Sequence, residues 1–225
     1  MSTEMPVNPL PPVVIALFVA IMLIEAVLSL ASQGLIGGAQ GVGWRINAVQ
    51  DYAFSPAVWE QVVERGDWSF DVIKRFVTYP FIHANFTHAV FGAALLLALG
   101  KFVGDVFHPL SVLAVFVVSS IVGAVVFGIT VQVNLPLIGV YPAVYGMIGA
   151  FTYLMWLRLG QMGQNQYRAF QLIGFLMGIQ LLFGLLFGGD KGWIADVAGF
   201  VTGLLLSPLV APGGAAAFLR RLRKR

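Results

Sequence analysis

The chain has 225 residues, 59% of them hydrophobic and only 10% charged, with a formal net charge of +3 and no cysteine. Soluble domains carry about 25% charged residues, so these polar groups are too few for a water-facing surface and an integral membrane protein is expected. The missing cysteines exclude disulfides, thiolate metal sites and a cysteine nucleophile, and so small a charge is not the footprint of a nucleic-acid binder.

Spans are sought where about twenty residues pass with almost no charge. The first runs from about 11 to 37 and is broken only by Glu25. No basic n-region precedes it, and it is too long for the apolar core of a signal peptide, so it reads as a span that stays. The second is 76–100, which holds no Asp, Glu, Lys or Arg. The next apolar run is too long for one helix, and its polar, proline-containing segment at 132–136 divides it into spans at 109–131 and 138–157. Spans five and six fall at 169–189 and 193–211, and the link around Asp190 between them is very short. The predicted fold is an all-α, six-transmembrane-helix bundle forming one membrane domain over residues 1–225, with a basic tail at 212–225.

Basic residues set the orientation. With both termini in the cytoplasm, that side receives Lys101, Arg158, Arg168 and the five basic residues between Arg220 and Arg225. The first outer loop, roughly 38–75, then becomes the one sizeable extramembrane segment. It contains Trp44, Trp59 and Trp68, and its alternation of apolar and charged residues around 58–65 predicts short amphipathic helices at the bilayer interface.

This topology brings spans two, four and six in from the outer face, each with polar groups near its start: His83 and His88, Tyr141, and Asp196. Ionisable groups within a membrane are costly and tend to face the bundle interior, so one pocket is expected to collect them. Each of these groups also has a plainer reading, a hydrogen bond to a backbone carbonyl or to interfacial water. Glu25, deep in span one, reads as a packing anchor satisfied by a neighbouring helix, and a protonated form is compatible with that depth. Gly146 and Ala150 on span four, and Gly199 and Gly203 on span six, form small-xxx-small patterns that allow the two helices to cross closely.

Three motifs stand in order along the chain. Span two carries Phe81, His83 and His88, preceded by Arg75 and Thr78. Span four opens Gly139-Val-Tyr141-Pro142 and continues to Gly146 and Gly149, and span six carries Asp196 just before Gly199 and Gly203. Together they resemble the rhomboid family of intramembrane serine proteases, and Gly43-Trp44-Arg45 is similar to a feature of rhomboid first loops. The resemblance implies a serine-type endopeptidase scaffold, but the chemistry departs from it. The nucleophilic serine position falls on Tyr141 and the next glycine on Pro142. The general-base histidine falls on Asp196 and the oxyanion asparagine on Gly92; only His88 is retained of the oxyanion side chains. Pro142 removes a backbone N–H and biases Tyr141 towards an extended conformation, yet proline suits a helix start. A Tyr141 hydroxyl donating to Asp196, with His88 beside them, is the expected replacement for the serine–histidine contact.

Three functions are open at this point. A catalytically degenerate rhomboid-like protein would bind transmembrane segments of client proteins through the cleft between spans two and five. An active protease would need another nucleophile, but the topology sets no histidine beside Ser119, Ser120, Thr202 or Ser207. A carrier or proton-handling role would use Glu25, Asp196 and the histidines, without the broken helices or inverted repeats common in transporters. No metal is expected, since His83 and His88 lie five positions apart rather than four, and no cofactor, nucleotide or nucleic acid is implied. The absence of a targeting segment and the compact core point to a bacterial inner membrane.

Overall fold

A computed structural model describes residues 9–187 and 191–214. Helix α1 (Pro12–Ser32) opens on a proline, whose missing N–H would have no intrahelical partner there. The first loop then folds into five short helices: α2 (Gly38–Gly41), α3 (Trp44–Tyr52), α4 (Pro56–Val63), α5 (Phe70–Ile73) and α6 (Arg75–Thr78). A 3-10 turn at Tyr79–Phe81 leads towards α7 (Phe86–Gly104), which is followed by α8 (Pro109–Thr130) and α9 (Tyr141–Gln161). A second 3-10 turn, Gln166–Phe170, runs into α10 (Gln171–Phe187), and α11 (Trp193–Val210) ends the bundle. The basic cluster at 220–225, the end of the fifth predicted span and Asp190 lie outside the described residues.

Among the described residues, four helices are long and apolar enough to cross a membrane: α1, α7, α8 and α11. Helix α9 is equally long but less apolar in sequence. The reason is its position. Its residues from Pro142 to Ala150 are all buried, so small and aromatic side chains serve where lipid-facing helices need aliphatic ones.

The second predicted span is corrected at its start. The continuous helix begins at Phe86, not 76, because the chain turns at Pro80, leaves the helical conformation at an extended Ile82 and bends at Ala84 and Asn85. Asn85 then caps α7, its side chain accepting from the His88 N–H at 2.9 Å. His83 therefore stands in the lead-in and His88 on the helix. The first helix is also shorter than predicted, ending at Ser32, and Gly34, Gly37 and Gly38 all take positive φ directly after it.

Two apolar clusters build the core. One joins α1, α7, α8, α9 and α11 through residues such as Ile21, Leu96, Phe116, Met147 and Phe200. The other gathers Phe54, Val58, Val62, Phe76 and Tyr79 from the first loop against Ala124 and Phe127 of α8. Helix α4 is amphipathic as expected, but its apolar face is buried against protein rather than offered to lipid. Paired N–H···O bonds between Phe54 and Leu137 and a bond from the Tyr79 hydroxyl to the Ser120 carbonyl, 2.8 Å, fasten that loop to the bundle.

Helices α9 and α11 cross at backbone contact. A methyl group built on Gly203 would enter the Gly146 backbone, and one on Gly199 would enter that of Pro142. Gly149 meets the Phe200 carbonyl in the same way, while Ala150 is buried in the main core.

Candidate functional site

A cavity of about 480 Å³ opens at the end of the bundle that carries the first loop. His88 from the start of α7, Tyr141 and Pro142 from the start of α9, Gln180 from α10 and Asp196 from the first turn of α11 line it, with Lys191 at its edge. His88, Tyr141 and Asp196 therefore meet, while His83 is fully buried behind them. Tyr141 is already the first helical residue, so Pro142 does not hold it extended; the proline sits in the first turn, where no N–H is required.

The Tyr141 ring stacks on His88, with centroids 4.8 Å apart and planes at 17°. Its hydroxyl donates to the His88 carbonyl at 3.0 Å. The expected bond from Tyr141 to Asp196 is thus replaced by one to backbone, because the stacked ring directs the phenol along α7. Gly92 lies beneath: a Cβ there would strike Val140 and approach His83 and the Tyr141 ring. No larger side chain fits at that position. Gly139 makes the turn before α9 at φ +95°, where a Cβ would also meet His88, and its N–H donates to the Tyr79 carbonyl at 3.1 Å.

His83 accepts from the Val140 N–H at Nε2, 3.3 Å, which puts the proton of the neutral ring on Nδ1. It lies outside the spanning helices, and burial above all, then the neighbouring His88, push its pKa down to about 4. It is neutral at neutral pH. The two imidazoles meet edge to face at 5.3 Å between centroids, and among the described residues no three His, Cys, Asp or Glu side chains are grouped as a metal would require.

Asp196 belongs to a different chain of bonds. The Gln180 amide donates to its Oδ2 at 2.9 Å and accepts from the Tyr145 hydroxyl at 3.1 Å. One side chain of α10 thereby bridges α9 and α11. Gln180 and Tyr145 were not among the residues singled out from the sequence. The signal was there for Gln180, a lone amide within the apolar run of α10, by the reasoning that had picked out Asp196.

Glu25 is a carboxylate clamped by Arg45. The Arg45 Nη1 donates to Oε2 at 3.0 Å and Nη2 to Oε1 at 2.7 Å, while the Ser29 hydroxyl donates to Oε1 at 2.6 Å. The partner sits on α3, a short helix of the first loop rather than another long helix of the bundle, and its two donors fit the ionised acid rather than the protonated one. Arg45 also donates to the His83 carbonyl at 2.7 Å. First loop, α1 and the entry to α7 are thus tied at one guanidinium.

Other hydroxyls are occupied within their own helices. Ser120, Thr202 and Ser207 donate to the carbonyls of Phe116, Ala198 and Gly203, four residues back. Among the described residues Ser119 is buried with no hydrogen-bond partner, pressed against Gly146, and none of these hydroxyls is paired with a histidine.

These features define a polytopic, all-helical membrane protein with a polar cavity at one end of a helix crossing. The chain belongs to the rhomboid family: the Rhomboid domain model matches residues 71–213, from α5 to just beyond α11. A search of curated proteins returns no match. The matched region holds the three motifs but not α1 or α3, so the Glu25–Arg45 clamp lies outside it.

Proposed function

We propose that the chain is a rhomboid-like pseudoprotease, a single membrane domain that binds transmembrane segments of client proteins without cleaving them. In this reading it spans a bacterial inner membrane six times, α9 and α10 supplying the two spans beyond the four most apolar helices, with both termini cytoplasmic. Tyr141 and Asp196 stand at the degenerate nucleophile and base positions, and His88 and Gly92 line what was the oxyanion site. The observation that carries the reading is the state of Tyr141. Acyl transfer needs a nucleophile whose proton passes to an adjacent base, and donors aimed at the developing oxyanion. The Tyr141 proton goes to an amide carbonyl, which cannot serve as that base, and its ring covers Gly92. Asp196 accepts from the Gln180 amide. The clamp on Glu25 argues against a proton-carrying role for that acid, since its lone pairs already accept three donor contacts.

The client would enter between α7 and α10 and set a polar or helix-breaking stretch into the cavity. The test is energy transfer between the labelled chain and a labelled rhomboid-substrate transmembrane segment in lipid nanodiscs. Saturable transfer is expected, weakened several-fold by Leu135→Trp, which fills the cavity mouth. Transfer no greater than with an unrelated single-span segment, or untouched by Leu135→Trp, would refute client binding at this site.

A further inference from the structure

Helices α7 and α9 both start at the polar cavity, so their C-terminal ends lie together at the opposite face of the bundle. There they leave a groove of about 450 Å³. Phe102 and Val106 form one wall, Phe151 and Leu154 the other, and Arg158 and Gln161 stand at the rim. Phe102 and Phe151 meet at 5.6 Å between centroids and close the deep end. From Phe151 to Arg158 the helix rises about 10 Å at ~1.5 Å per residue, so the apolar wall covers the outer part of one ~15 Å leaflet. The groove becomes polar at Arg158 and Gln161, at the end where headgroups begin.

Among the described residues the rim supplies one available cation. Lys101 is engaged by both oxygens of Asp105, each at 2.8 Å. The Arg158 guanidinium is exposed and makes no hydrogen bond or ion pair to protein among the described residues. Arginine presents a fork that matches phosphate oxygens in pairs, and Gln161 adds amide donors one helical turn away. An apolar slot beneath a guanidinium that is unpaired among the described residues is complementary to a single lipid with a negatively charged headgroup.

We propose that this groove is a binding site for one anionic phospholipid of the leaflet facing the C-terminal ends of α7 and α9, its acyl chain along Phe102 and Phe151 and its phosphate on Arg158. The proposal needs only the membrane-spanning bundle and is independent of the pseudoprotease reading.

Native mass spectrometry of the full chain in mild detergent tests it, using phosphatidylglycerol and phosphatidylcholine with identical acyl chains. One phosphatidylglycerol should be retained over phosphatidylcholine by about fivefold, the factor that ~1 kcal/mol from one basic side chain gives. Arg158→Gln should abolish that preference and Arg158→Lys should keep most of it. Leu154→Trp, which fills the groove, should lower retention of both lipids, and inorganic phosphate should not displace the bound lipid. Equal retention by the wild-type chain, a preference that survives Arg158→Gln, retention untouched by Leu154→Trp, or displacement by phosphate alone would each overturn the site. Arg158 lies exposed in the last turn of α9, so its variants should unfold at the wild-type temperature.

Discussion

Arg45→Ala should lower stability in detergent by about 3–5 kcal/mol, the cost of leaving one member of a buried ion pair without its partner. Glu25 is 1% exposed and Arg45 17%, so water cannot replace the lost guanidinium at the carboxylate. The same change removes the donor to the His83 carbonyl, so the first loop should also loosen and become protease-sensitive between Gly37 and Gly43. The pair Glu25→Gln with Arg45→Met should recover much of the loss, because a neutral pair of similar volume carries no uncompensated charge. Chemical unfolding monitored by tryptophan fluorescence reads both effects. A loss below about 1 kcal/mol for Arg45→Ala, the range of exposed ion pairs, would mean that the clamp is solvated and structurally unimportant.

Gly203→Val should cost about 2–3 kcal/mol, the upper part of the range for overpacking. The atoms in its way are the backbone of Gly146, which no side-chain rotation can move aside. Helices α9 and α11 must part instead, and that separation also pulls Asp196 away from Tyr145 and its Gln180 bridge. Gly174→Ala on α10 is the control, since a Cβ there meets nothing within 4 Å and the change should be neutral or mildly stabilising. Thermal unfolding of the two variants side by side distinguishes a seam held by backbone contact from a general intolerance of larger residues.

The residues themselves explain which features could be read without coordinates. Gly146, Gly199 and Gly203 announce a close crossing because small residues at four-residue spacing leave a flat face on a helix. His88, Tyr141 and Asp196 could be brought to one cavity because each lies near the start of a helix that enters from the same side. The start of α7 is not legible from hydropathy, which continues through Tyr79–Ile82 while the helix does not. Pro80 and the Asn85 cap are stronger signals than the absence of charge. The direction of the Tyr141 hydroxyl depends on a ring stack, and the partner of Glu25 lies twenty positions away on the short helix α3. Neither leaves a periodic trace. The tight packing of α4 on α8 was hidden for a similar reason: an amphipathic pattern states that one face is apolar, not whether lipid or protein covers it.

Absence of proteolysis is tested most directly by incubating the purified chain with a generic rhomboid substrate and a serine-directed activity probe, with Tyr141→Phe and Asp196→Asn alongside. No cleavage and no labelling above a protein-free blank are predicted for all three. Cleavage by the wild-type chain that disappears in Tyr141→Phe or Asp196→Asn would contradict the pseudoprotease proposal and return those two residues to the chemistry.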